Sequence, residues 1–410
     1  MTGILDGVRI LDLTRFFAGP HTTLMLAGLG AEVIRIDNPA TGDGLSDSPV
    51  YAGPNGASFE RSGPDDLGIP FLKRCRGKKA VTLDLKSAEG LELFLSLVDR
   101  ADVVVENFTV GVTERLGIDD PALRARNPGL VYCSVTGFGS AGPDRHLRCY
   151  DVVAQAMSGL MSVTGLPGQP PTKAGSALAD SIASVFALSG VLGALLHREK
   201  TGEGQHIDVS MVDCLFALLF DEPLDCYGQL GLDYQQGNRI PRFSPFNTYE
   251  TKDGWMVIGV GNEAQWAGLL RVMDREDLLS DPDYIRPGWR VAHNERVDAL
   301  VGAWTKTVDA ADAVARLQAE GVVASPIHDI DDLKAWPHFQ SRNMIVPLAH
   351  PTVGPLDGVG AANFPVRFSE TPGQYKTPAA PSGSHNEEIY GELLGLQNAD
   401  LDRLKKKGVI

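Results

Sequence analysis

Apolar residues along the first 150 positions fall into short runs that alternate with helical periods. "VRILDL" (8–13) is a short β-branched run, "HTTLMLAGLG" (21–30) a helix closed by glycine, and "EVIRID" (32–37) a return to strand. The alternation continues through "AVTLDL" (80–85), the helical "AEGLELFLSLVDR" (88–100), "DVVVENF" (102–108) and "LVYCSV" (130–135). Strands alternating with helices predict βαβ units and a mostly parallel sheet, with ligands at the carboxyl ends of the strands.

Beyond residue 205 the pattern changes. Residues 205–240 give a helix followed by a polar, turn-rich connector. "NTYETKDGWMVIGVGNEAQWAGLLRVM" (247–273) offers a hairpin turn at Lys252–Gly254, then a strand and a helix, with more helical pattern at 295–321. The tail is rich in proline and glycine and is expected to wrap over other surface. The expected organisation is a large α/β domain over 1–205, a linker over 206–240, a smaller α/β domain over 241–325, and a segment over 326–410 that returns to the large domain.

"GSALADSIASVFALSGVLGALLHREKTGEG" (175–204) sets Asp180 directly before a long run of small and apolar residues. Read by itself, Asp180 is the N-cap of a buried helix, its oxygens accepting the first free backbone amides. The longest apolar run, Ile182 to Leu196, is too short to span a bilayer.

Charge and composition narrow the function. The formal charge of −15 argues against a nucleic-acid partner, which needs an electropositive face. Cys75, Cys133, Cys149, Cys214 and Cys226 are odd in number and scattered, as are the nine histidines, so neither disulfides nor a metal site is expected. The N-terminus has no signal-peptide pattern, and the expectation is a cytoplasmic protein with no membrane partner. Gly137, Gly139 and Gly142 fit G-x-G-x-x-G, but Pro143 and polar residues follow where a helix should begin. The stretch reads as a turn.

Several motifs in one order carry a resemblance: "GVRILDLTRFFAGPHTTLMLAGLGAEVIRID", "KKAVTLDLK", "ADVVVENFTVGVTERLGI", "VTGFGSAGP", "ALADS", "REKTGEGQHIDVSM", "DGWMVIGVGNEAQW" and "PSGSHNEEIYGELLG". Together they resemble the class III CoA-transferase (CaiB/BaiF) family nearly end to end. The resemblance implies a Rossmann-like large domain, a second small α/β domain, and an interlocked, ring-like homodimer. It places the catalytic aspartate on Asp180. CoA contacts fall on Phe17, Ala18, Leu83, Asp84, Leu85, Lys86, Asn107, Phe108, Arg115, Arg148 and Tyr150. An aspartate near its reference pKa of ~3.9 is ionised at neutral pH and needs no general base to attack a thioester. The implied activity is transfer of CoA from an acyl-CoA, with succinyl-CoA a candidate donor, to a carboxylic acid, without a tightly bound cofactor or metal.

Other readings stay open at this stage. Lys73, Arg74, Arg76, Lys78 and Lys79 form a run that is either a site for the CoA phosphates or a solvated face. Formyl-CoA transferases of the family carry glutamine at Phe17 and a glycine-rich loop where this chain has "QGNRIPRFSP", so a larger acceptor than oxalate or formate is expected. Arg239 and Arg242 in that stretch are candidates for a second substrate carboxylate, or else partners of surface acids. The racemases of the family place a histidine where this chain has Tyr150, a poor base at neutral pH with a reference pKa of ~10. His146 keeps that alternative, as a second chain would keep the alternative of a heteromeric transferase.

Overall fold

The computed structural model describes residues 3–410. The chain divides into two compact units. The larger holds the chain up to Gly159, Ala174–Asp221 and Pro337–Ile410; the smaller holds Leu160–Lys173 and Glu222–Trp336.

The larger unit is built on six parallel strands: β1 (Arg9–Asp12), β2 (Glu32–Asp37), β3 (Lys78–Thr82), β4 (Val103–Glu106), β5 (Val131–Thr136) and β6 (His206–Ser210). Their order across the sheet is β3-β2-β1-β4-β5-β6. Ile10 of β1 lies level with Val33 on one side and Val103 on the other. The strands read as continuous apolar runs because both faces are covered. The chain winds outward from β1 through β2 to β3, then returns to β4 and winds the other way. The loops after β1 and β4 therefore diverge, which opens a crevice between them at the carboxyl edge.

Helix α1 (Ala18–Gly28) is buried along nearly its whole length. Its glycine, alanine and threonine content permits this. A Cβ on Gly19 would lie 2.3 Å from the Cβ of Thr14, so only glycine lets the helix start so close to the β1 loop. The other helices used below are α2 (Ala88–Val98), α3 (Asp151–Met157), α4 (Leu178–Thr201) and α5 (Met211–Leu219). Helix α4 packs on α1, α3, α5, β5 and β6 through a stripe of small residues that includes Ala179, Ala183, Ser184, Ala187 and Ala194.

Two sequence expectations change here. Residues 206–240 are not one linker: β6 and α5 belong to the larger unit, and the second segment of the smaller unit starts at Glu222. The apolar run Ile182–Leu196 is part of a 24-residue helix that is long and apolar enough to cross a membrane by length and composition. It is the one such helix among the described residues, and its small-residue stripe is buried within the unit.

The tail covers the exposed edge of β3. The amide of Ala80 donates to His385 Nδ1 (3.2 Å), that of Thr82 to Asn386 Oδ1 (3.0 Å), and the Tyr390 hydroxyl to the Thr82 carbonyl (2.9 Å). Side chains thus take the ladder groups that an uncovered edge strand would offer to another chain. This accounts physically for the stretch "SHNEEIYGELL".

The smaller unit has an antiparallel sheet of β7 (Phe246–Glu250), β8 (Trp255–Gly259) and β9 (Val323–Pro326). The expected turn at Lys252–Gly254 joins the first two, closed by the Thr251 amide on the Gly254 carbonyl (2.9 Å).

Candidate active site

A cavity of about 450 Å³ lies at the carboxyl ends of β1, β4 and β5, and every residue lining it belongs to the larger unit. Asp180 lines it, with Phe17, Ala18, Asn107, Phe108, Arg148 and Tyr150 from the expected set. Asn107 ties the two diverging loops together. Its side-chain oxygen accepts from the Arg15 amide and its nitrogen donates to the Arg15 carbonyl, both at 2.8 Å. The five other expected CoA residues lie outside this cavity. Leu83 is buried in the core, and Asp84, Leu85 and Lys86 complete the turn from β3 to α2, with the Asp84 amide bonded to the Val409 carbonyl. Arg115 sits on the short helix Val112–Leu116.

Asp180 is not the cap of its helix. Helix α4 starts two residues earlier, so Asp180 stands in its first turn. The capping carboxylate comes from Asp151, the first residue of α3: its Oδ1 accepts from the amides of Ala179 (2.8 Å) and Asp180 (3.4 Å). This leaves the Asp180 carboxylate free of its own helix end. The backbone amide of Ala18 acts on it in favour of the ionised form. Ser184 fastens the two segments, its hydroxyl 2.8 Å from the Ala18 carbonyl and 2.7 Å from that of Asp180.

The expected reference pKa does not hold either. Burial, and then the Asp151 charge, push the Asp180 carboxyl up to about 6, against the Ala18 amide and Arg74, which favour the ionised form. Above pH 6 the group is still mainly a carboxylate. It is also more basic than an exposed aspartate and correspondingly more nucleophilic.

Phe16, a residue without an expected role, and Cys149 complete the surroundings. Phe16 holds a left-handed backbone (φ 65°) and turns its exposed ring edge-on to Tyr150, 6.3 Å between centroids. Cys149 lies so close to Gly137 that a Cβ there would come within 2.1 Å of the cysteine Cβ. Among the described residues no histidine lines the cavity; Nε2 of the exposed His146 accepts from Arg145 Nε at 3.1 Å. Gly139 and Gly142 take left-handed turn conformations and no helix follows, in line with the turn reading of that stretch. No group of three or more His, Cys, Asp or Glu side chains among the described residues is placed to hold a metal ion.

The basic run is neither one site nor one solvated face. Lys78 is buried and bonded to Asp12, Thr23 and the Pro20 carbonyl. Lys79 pairs with Glu32 and Glu388, and Arg76 donates to the Lys73 and Ala362 carbonyls. Arg74 lies against a cavity residue: its guanidinium sits over Phe17, 3.8 Å from the ring centroid. Arg239 and Arg242 already hold carboxylates within the smaller unit. Arg239 pairs with Asp298 (2.8 Å), which also takes Asn247 and Tyr249, while exposed Arg242 pairs with Glu222. Of the two readings the sequence left open for them, these ion pairs match pairing with acids of the protein itself.

Comparison with known proteins gives one picture. The sequence model described as CoA-transferase family III matches residues 5–386. The chain is 34% identical to the succinate–glutarate CoA-transferase of Agrobacterium fabrum, covering 95% of each chain. It is 35% identical to the succinyl-CoA–D-citramalate CoA-transferase of Chloroflexus aurantiacus, over 99% of this chain and 98% of the relative. Among solved structures it resembles a CAIB/BAIF family protein from Brucella suis, with TM-score 0.81 and 33% identity over 96% of this chain and 100% of that one.

Proposed function

The chain belongs to CoA-transferase family III, and on that premise we propose that it moves CoA from succinyl-CoA to a carboxylic acid through covalent intermediates on Asp180. The observation that carries the reading is the Asp180 carboxylate itself: raised in pKa by burial and by Asp151, and open to a cavity that no histidine lines among the described residues. An Asp180 oxygen attacks the donor thioester carbonyl and CoA leaves as thiolate, giving a mixed anhydride. The thiolate then attacks the Asp180 carbonyl carbon, which releases the donor acid and leaves an aspartyl-CoA thioester. The acceptor carboxylate attacks that thioester and expels the thiolate. The thiolate finally attacks the acceptor acyl carbon of the new anhydride, so that acyl-CoA departs and the carboxylate is restored. One thioester replaces another, and no ATP is consumed.

The aromatic rim of Phe16 and Tyr150, with Phe17, Ala18, Asn107 and Phe108, offers an apolar ledge for the pantetheine arm. Arg148 offers a cation for the CoA phosphates. Leu83 to Lys86 and Arg115 retain their proposed CoA contacts as residues beyond this cavity. The racemase reading lacks its facing base, since His146 is held by Arg145 at the surface. Incubation with succinyl-CoA followed by mass spectrometry of the digested protein is expected to show CoA joined to the peptide bearing Asp180. Turnover with no adduct on that peptide would overturn the mechanism.

Assembly follows from the exposed apolar side chains of the larger unit. Val185, Phe186 and Leu196 of α4, Val152 and Met157 of α3, and Phe216 and Leu218 of α5 are all at least 40% exposed in the single chain. That much apolar surface calls for a cover. We propose that a second copy supplies it, as an interlocked homodimer in the cytoplasm. Light scattering on the purified protein should give about twice 43.9 kDa. A monomer, or a second co-purifying chain, would count against it.

A further inference from the structure

A carboxylate bound near Asp180 meets two negative charges, those of Asp180 and Asp151. An acceptor must bring one carboxylate there to react. An acceptor with a second carboxylate adds another charge at the same place, so a dicarboxylate site needs a cation with unused donors. Most basic side chains in the run at 73–79 are committed: Lys78 to a buried ion pair, Lys79 to two glutamates, Arg76 to backbone carbonyls. Arg74 differs. No described residue accepts a hydrogen bond from it or pairs with it within 4 Å, yet it is half-buried and close enough to Asp180 to act on its charge.

Its orientation is restrained as well. Phe17 carries the Arg74 guanidinium over its ring and meets the His21 ring at 90°, 5.6 Å between centroids. A guanidinium stacked on an aromatic face keeps its N–H edges available, and those edges match a carboxylate in paired geometry. His21 Nδ1 is buried with no partner, and burial and the neighbouring cations keep that ring neutral. The ring therefore adds no competing charge. Phe17 itself lines the cavity that holds Asp180, and the Arg74 guanidinium lies against that ring, near enough to Asp180 for the two charges to interact.

We propose that Arg74 binds the second, non-reacting carboxylate of a dicarboxylate substrate and so selects dicarboxylates over monocarboxylates of equal length. The proposal rests on the transferase reading above and gives it a substrate class and a selecting residue. Arg239 and Arg242, which the sequence offered for this role, are occupied by Asp298 and Glu222.

The test compares glutarate with valerate as acceptors, with succinyl-CoA as the common donor. In an exchange through an enzyme-bound CoA intermediate, kcat/KM for the acceptor reports the second half-reaction alone, so donor effects drop out. Arg74→Ala is expected to lower the glutarate-to-valerate ratio of kcat/KM by roughly ten- to a hundredfold, the span of a lost charge-assisted pair. Arg74→Lys should fall between the two, because it keeps charge without the planar fork. Arg242→Ala should leave the ratio as in the wild type. Should Arg74→Ala not fold, Arg74→Gln, which keeps a planar group over Phe17, carries the same test. An unchanged ratio in the Arg74 variants, or a ratio that collapses in Arg148→Ala instead, overturns the proposal. Wild-type protein that transfers CoA to no acid at all would sink the transferase reading rather than this refinement of it.

Discussion

Asp180→Asn is expected to lower turnover by roughly three orders of magnitude or more while the fold becomes no less stable. Asparagine keeps the shape, but an amide cannot form the anhydride. The sign of the stability change separates nucleophile from cap. A cap would lose little, since asparagine caps about as well as aspartate, and the cap here is Asp151 in any case. The folded state holds the Asp180 carboxyl at about 6 against an ordinary value of 3.8. Below pH ~4 that residue places no burden on the fold. As pH rises through 6 the buried carboxylate costs up to about 3 kcal/mol, less whatever solvent recovers on its open side. The asparagine variant escapes that cost, so its unfolding midpoint should match or exceed the wild type at pH 7.5 and converge with it near pH 4. Wild-type activity should fall as pH drops through about 6. A folded Asp180→Asn enzyme with wild-type turnover would overturn the nucleophile.

Much of this site can be read from the sequence, because its chemistry is local. The strands β1 to β5 follow from β-branched runs, whereas Asp180 by its local pattern reads only as a helix cap and takes its proposed role from the family resemblance. The remainder depends on partners far along the chain. Asp151 caps a helix that starts 27 residues later, and no local pattern marks a side chain that caps at such a distance. The displaced pKa of Asp180 follows from that same contact and from burial. Arg239 looked available because Asp298, its partner, is 59 residues away. Arg74 and Lys78 stand in one basic run, yet one stacks on the cavity residue Phe17 and the other is sealed in the core. Sequence proximity grouped them; Arg74 ends the short helix Ile69–Arg74, whereas Lys78 opens β3.

Lys78→Met is expected to cost about 3–5 kcal/mol of stability, the usual consequence of stranding one partner of a buried ion pair. Lys78 spends all three of its protons: on Asp12 Oδ2 (2.9 Å), the Pro20 carbonyl (2.9 Å) and the Thr23 hydroxyl (2.7 Å). It thereby joins β3 to β1 and to the first turn of α1, which carries Ala18 to Asp180. Burial by itself raises the Asp12 carboxyl, but Lys78 and the Thr14 and Thr23 hydroxyls outweigh it and hold the group below the usual carboxylate range. Without the ammonium, burial prevails and Asp12 takes up a proton on folding. A carboxyl raised in the folded state loses stability as pH rises, whereas the depressed wild-type carboxyl loses it as pH falls. The gap between variant and wild type in chemical denaturation should therefore widen from pH 4 to pH 7. Asp12→Asn in the same background should recover part of the loss, since the stranded charge is gone and the two sites are coupled. A phosphate ligand at Lys78 would give a different result: an unaltered denaturation curve and a raised KM for the CoA donor. That outcome would return the whole basic run to the CoA site.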